Sequence, residues 1–200
     1  HIGYEQVLRI NGILVPKHQL EEIIQIMENI LNKIRIKAKT KPNIIIINGD
    51  LKHEFGKILK QEWSEVLKFL DFLLKHCKKI IIIQGNHDRI IKPIAEKKGV
   101  KVVKEFRMGD SLVVHGDQLI ETDAKRIIIG HEHPAITIRK GGKYEKYKCF
   151  LKGKWHQKEL IAVPSFNPLL EGTDVLEEKL LSPFLEDIKQ FEAYITNKGE

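Results

Sequence analysis

Four short apolar runs, each ending in a cluster of metal-type side chains, constrain this chain more than any other feature. Ile44 to Ile47 leads into Asn48-Gly49-Asp50, and Ile80 to Ile83 leads into Gly85-Asn86-His87-Asp88. Leu112 to Val114 leads into His115-Gly116-Asp117, and Ile127 to Ile129 into Gly130-His131-Glu132-His133. Runs of this length, rich in β-branched residues, read as strands buried on both faces of a parallel sheet. Open α/β sheets hold ligands outside the carboxyl ends of their strands. Asp50, Asn86, His115, His131 and His133 are therefore expected to converge on one edge of the sheet. Oxygen and imidazole donors together suit Mn, Fe or Zn.

Taken singly, each cluster has a blander reading. An Asp after Gly commonly makes a turn or a helix cap, and Gly85 to Asp88 also reads as a polar turn. A lone histidine closing an apolar strand, as His115 does, is usually a hydrogen-bonded core residue. His131 and His133 are either solvated loop residues or, two apart in an extended segment, two imidazoles on one side. His53, three positions after Asp50, would alone be a surface residue. The weight lies in the joint pattern. Of nine histidines, His87, His115, His131 and His133 all sit at or just after strand ends, which random placement rarely gives.

Between these strands, helical spacing runs from Pro16 to Ile34 and from Ile58 to Cys77. A shorter helix is expected over Lys92 to Lys98, stopped by Gly99, with a strand over Val100 to Val103. After His133 the pattern changes. Ala135 to Ile138 alternates as a half-exposed strand, Gly141-Gly142 turns the chain into Tyr144 to Leu151, and a turn near Gly153 leads towards Leu160 to Val163. Strand and helix alternate in the first half, and hairpins dominate the second. A single α/β domain over residues 1–200 is the economical reading. His1 to Tyr4 reads as the loop after a strand lying ahead of the chain.

Bulk properties exclude several classes. Two cysteines without paired spacing, Cys77 and Cys149, argue against a disulfide framework or a zinc-thiolate site and fit a reducing, cytoplasmic compartment. No apolar stretch approaches membrane-spanning length. The net charge of +7 permits a polyanionic partner without requiring one. The basic stretch Arg139 to Lys154 carries Tyr144, Tyr147 and Phe150, with Trp155 just beyond. Cations among aromatics suit single-stranded nucleic acid. The alternative is a solvated hairpin with its rings packed inward.

The ordered set His1-x-Gly3, Gly49-Asp50, Gly85-Asn86-His87-Asp88, His115 and Gly130-His131-x-His133 resembles the calcineurin-like metallophosphoesterase superfamily. Gly49-Asp50-Leu51-Lys52-His53-Glu54-Phe55-Gly56, His115-Gly116-Asp117-Gln118 and Pro164-Ser165-Phe166-Asn167-Pro168 are similar to the archaeal branch related to the SbcD repair nuclease. The resemblance implies a four-layer α-β-β-α sandwich and a dinuclear site. It implies that His1 and His133, with an Asp two residues ahead of His1, hold one ion, and that Asp50 bridges both. Asn86, His115 and His131 would hold the second. His87 would be the general acid, Asp88 its support, and His53 a second active-site histidine. With the first-motif Asp outside it, the chain reads as truncated at its N-terminus and lacking the first strand.

The expected activity is phosphate-ester hydrolysis with two divalent ions, Mn first and Fe or Zn next. Two ions about 3.5–4 Å apart clamp the phosphate and acidify a bridging water that attacks phosphorus. A phosphodiester, nucleic acid included, is the leading substrate class. A phosphomonoesterase or nucleotide hydrolase is the alternative, and a non-catalytic scaffold of the same fold is the third reading. Retention of His87 speaks against that third reading.

Overall fold

The four Ile- and Val-rich runs become strands of two sheets rather than one. The computed structural model describes residues 1–57 and 59–196. They fold as two units, His1–Lys104 with Asn167–Leu169, and Glu105–Phe166 with residues 170–196. The expected second helix begins at Ile58, which lies outside the described residues.

In the first unit, β1 (Ile44–Asn48), β2 (Lys79–Ile83) and β3 (Lys101–Val103) form a parallel sheet in that order. Burial departs from expectation at β1. Ile80 to Ile83 of β2 are all buried, whereas β1 runs from exposed to half-buried. The reason is position, since β2 is central and β1 is an edge of this sheet. A parallel ladder needs a crossover between strands, and α3 (Lys60–His76) supplies it from β1 to β2. Val66, Phe69, Leu70 and Leu73 recur at helical spacing along one face of α3 and join the buried strand residues in a single core. Trp63 and Leu67 pack on that core, and Leu74 is exposed.

Two more helices precede β1. α2 (Gln19–Ala38) buries Ile23 and Leu31, with Leu20, Ile24 and Met27 partly buried against the core. Its apolar pattern overruns the core, leaving Ile30 and Ile34 exposed. α1 (Tyr4–Ile10) begins where the expected loop over His1 to Tyr4 ends. Ile2, just ahead of it, bridges Lys52 in parallel and is buried. α4 (Lys92–Glu96) forms where the short helix was expected.

The second unit holds β4 (Glu105–Met108), β5 (Ser111–Val114), β6 (Arg126–Ile129), β7 (Pro134–Lys140), β8 (Lys143–Trp155), β9 (Lys158–Ala162), β10 (Thr173–Asp174) and β11 (Glu192–Ile195). The sheet order is β10-β7-β8-β9-β6-β5-β4, with β11 on β8. β5, β6 and β9 are parallel neighbours, and the rest of the ladder is antiparallel apart from β10 on β7. Gly141 and Gly142 turn β7 into β8 with φ of 57° and 76°. That is the geometry a two-residue hairpin of this twist requires. The turn expected near Gly153 falls instead after Trp155, because Gly153 is a ladder residue opposite Leu160. Phe191 explains the glycine: a Cβ at Gly153 would lie 2.4 Å from that ring.

The mixed α/β architecture with two sheets and flanking helices agrees with the expected fold class. No helix among the described residues is long and apolar enough to cross a membrane. Cys77 and Cys149 are both free and buried. Burial raises both thiols, that of Cys149 to about 11 with the Asp174 carboxylate adding to the rise. A thiol must ionise and reach solvent to react. Titration with a disulfide reagent at pH 8 should therefore find no reactive thiol in the native protein and two after denaturation. Rapid reaction of either in the native state would contradict this packing.

Candidate metal centre

The first unit gathers His1, Asp50, His53, Asn86, His87 and Asp88 from three stretches of chain. Gly49 and Asp50 close β1 with left-handed backbones, φ being 78° and 51°. For a residue other than glycine that conformation costs about 1–3 kcal/mol, and it collects at functional positions. The turn aims the Asp50 carboxylate at the segment after β2. There the His87 amide donates to Asp50 Oδ1 at 3.0 Å, and a Cβ on Gly85 would lie 2.1 Å from the same oxygen. Only glycine lets the two strand ends approach so closely. His1 Nε2 lies 3.6 Å from Asp50 Oδ2.

Asn86, His87 and Asp88 form a single 3-10 turn. The His87 ring is fixed through Nδ1, which meets the His53 carbonyl oxygen. A carbonyl only accepts, so Nδ1 carries the proton and Nε2 is the nitrogen that can take up or release another. Asp88, expected beside this imidazole, has other partners. Its carboxylate accepts the Leu51 and Lys52 amides at 3.1 Å each and the Gly85 amide at 3.4 Å. It is wholly buried, and burial pushes it above the ordinary carboxylate range against the pull of those amides, with the Asp50 charge adding to the rise.

His53 stands next to both rings. Its Nδ1 lies 3.2 Å from His1 Nδ1, and its ring stacks on His87 at 5.4 Å. His1, His53 and His87 each offer a nitrogen within 4.8 Å of the others. Burial, with the His87 charge adding to the effect, lowers His53 to about 4. The imidazole is thus neutral at pH 7, the form that binds metal.

In the second unit, His115 ends β5 and the turn 130–133 ends β6. The amides of Gly130 and His131 both bond the His115 carbonyl, at 2.8 and 2.9 Å. That docking brings His131 Nδ1 to 3.1 Å from His115 Nε2. The segment is not extended as expected. The His133 amide reaches back to Gly130 at 3.4 Å, and His133 takes φ of 51°. A turn here satisfies backbone groups that a strand would leave facing no partner. The His133 carbonyl is held by the Thr173 amide at 3.0 Å, and a Cβ on Gly172 would lie 2.2 Å from it.

Two carboxylates escaped the sequence reading. Glu62, in the first turn of α3, accepts the His53, Glu54 and Leu59 amides at 2.7, 3.0 and 3.3 Å. Its spacing from Leu59 is the reach-back half of a capping box, a signal legible before the apolar run of α3. Glu132, noticed only as the residue between two histidines, accepts the Leu181 and Ser182 amides at 2.8 Å each. Burial raises it, opposed by those bonds. Asn167 also belongs here, donating to the His1 carbonyl at 3.2 Å beside Gln19 at 3.0 Å.

The basic hairpin β7–β8 is partly neutralised. Lys146 pairs with Glu178 at 2.8 Å and Lys152 with Glu159 at 3.1 Å, and Arg139 pairs with Glu177. Tyr144 and Phe150 are exposed, whereas Trp155 packs on Phe184 at 4.8 Å.

Comparison with known families matches the calcineurin-like phosphoesterase profile over residues 16–195. The chain belongs to the calcineurin-like phosphoesterase family. No curated protein matched. Among solved structures, a Vps29 double mutant from Entamoeba histolytica is similar at 14% identity and a TM-score of 0.34, covering 92% of this chain and 91% of that one.

Calcineurin-like phosphoesterases typically hold two divalent ions. The donors within each unit fit such ions. Two imidazole nitrogens on one ion at about 2.1 Å stand about 3.0–3.4 Å apart at coordination angles from square to tetrahedral. His115–His131 and His1–His53 show 3.1 and 3.2 Å. That spacing suits a shared cation as well as a shared proton. Imidazole and carboxylate are donors of the kind that hold divalent ions.

Asp88→Ala leaves the Leu51 and Lys52 amides buried without an acceptor and should cost about 1–3 kcal/mol per amide. Asp88→Asn keeps an acceptor oxygen and should cost less. Denaturant unfolding of both variants checks this, and equal losses would mean that the carboxylate does not hold the loop.

Proposed function

We propose that this calcineurin-like phosphoesterase is a two-metal phosphodiesterase of the SbcD-related branch. His1, Asp50, Asn86, His115, His131 and His133 are its metal ligands, and His87 is its general acid. The observation that carries the reading is the His87 imidazole, held by the His53 carbonyl at Nδ1 while its own amide binds the Asp50 carboxylate. A ring so anchored keeps Nε2 free of that carbonyl, on a residue whose backbone is tied to the carboxylate proposed to bridge the ions. The SbcD-like wording from Gly49 to Gly56 contributes His53, whose carbonyl does the anchoring.

Bound divalent ions would supply Lewis-acid charge to the phosphate and a water that ionises near neutral pH. The chain's own part is positional and protonic. Asp50 and the imidazoles fix where the cations sit. His87 delivers a proton from Nε2 to the departing oxygen, a step worth about 10²–10⁴-fold. His53, neutral at pH 7, adds no positive charge beside the His87 ring. The two unbridged cysteines support a reducing, cytoplasmic setting.

Asp50→Ala should abolish Mn loading by elemental analysis. His87→Ala should keep the metal and lose about 10²–10⁴ of turnover. Turnover within a few-fold of wild type would remove His87 from the proton-donor role. With Mn added, bis-p-nitrophenyl phosphate should be cleaved faster than p-nitrophenyl phosphate. The opposite order would make the enzyme a phosphomonoesterase, and cleavage of neither by a metal-loaded protein would make it a scaffold.

A further inference from the structure

Phe55 lies in the loop that follows Asp50, and its ring sits on His87 with centroids 3.5 Å apart and planes at 32°. It is nevertheless 49% exposed, and it belongs to neither hydrophobic core. Core packing therefore does not account for a large apolar ring at this place. The ring ends a series: Tyr4 meets His53 at 4.5 Å, His53 stacks on His87 at 5.4 Å, and Phe55 covers His87 next to solvent. The loop is held firmly enough to keep it there. The Lys52 ammonium bonds the Lys57 carbonyl at 3.3 Å, and Glu62 fixes the His53 and Glu54 amides.

An acid protonates the oxygen that leaves, so whatever is bonded to that oxygen emerges beside His87. Phe55 is the apolar surface it meets. Flat π-faced groups gain most from such a ring, and in phosphate esters the nucleobase is that group. We infer that Phe55 is a stacking platform for a nucleobase carried by the leaving group, which makes the substrate a nucleotide ester. This rests on the assignment of His87 as the acid. It places base recognition on the loop after Asp50 and not on the β7–β8 hairpin, whose Arg139, Lys146 and Lys152 are ion-paired.

Calorimetry of the metal-free protein with adenosine monophosphate and with ribose 5-phosphate tests this without turnover. Wild type should bind the nucleotide at least about tenfold more tightly than the sugar phosphate, the scale of one base stacked on one ring. Phe55→Ala should bring the two ligands level, and Phe55→Trp should keep the gap. Equal binding of both ligands by wild type overturns the inference. So does a gap that survives in Phe55→Ala, or a loss there that strikes both ligands alike. If the gap behaves as expected while no phosphodiester is cleaved with added Mn, the platform stands and the activity assignment falls.

Discussion

Backbone amides held by buried carboxylates are the interaction on which the first unit's half of the site depends. The chain leaving β1 makes a single bridge at Lys52, and the amides of Leu51 to Glu54 are held by side chains. Asp88 takes those of Leu51 and Lys52, and Glu62 takes those of His53 and Glu54. Buried charge is tolerated only when hydrogen-bonded in this way. The result is a rigid loop in a place where loops are ordinarily mobile. Rigidity matters because the His53 carbonyl, on that loop, selects the tautomer of His87. Glu132 does the corresponding work in the second unit through Leu181 and Ser182.

These acids are close in sequence to residues of chemical interest, yet their work is architectural. Asp88 follows His87 directly, and Glu132 lies between His131 and His133. Neighbouring side chains on a tight turn diverge, so one faces the cluster of imidazoles while the next turns inward to hold the backbone. The imidazole–carboxylate pairing expected at His87 is thereby replaced by an imidazole–carbonyl pairing. A carbonyl fixes the ring as firmly as a carboxylate does but adds no full negative charge beside it.

Much of the fold was legible because its signals are local. The Ile and Val runs, the helical spacing of α2 and α3, and the Gly141-Gly142 turn each carry their physics within a few residues. The partition into two sheets was not legible from periodicity, because a buried strand looks alike in either sheet. Edge position was hidden for the same reason, and β1 came out less buried than its composition suggests. Gly153 read as a turn because a glycine needed for an approaching ring looks the same as one needed for a bend. At the site, the structure brings His1, His53 and His87 together, and His115 with His131. Glu62 and Asn167 were missed as anchors, since their partners are backbone groups, which leave no trace in side-chain chemistry. The left-handed turns at Asp50 and His133 were equally silent.

Gly85 and Gly172 carry no functional group, yet each lies against an atom that matters, the Asp50 carboxylate oxygen and the His133 carbonyl. Their importance is an importance of empty volume. A survey of tolerated replacements along this chain would find these two positions nearly as intolerant as the donors themselves. Searches for function by reactive side chains alone pass over them. In a protein of this design, some of the information that shapes the site is written as the absence of a methyl group.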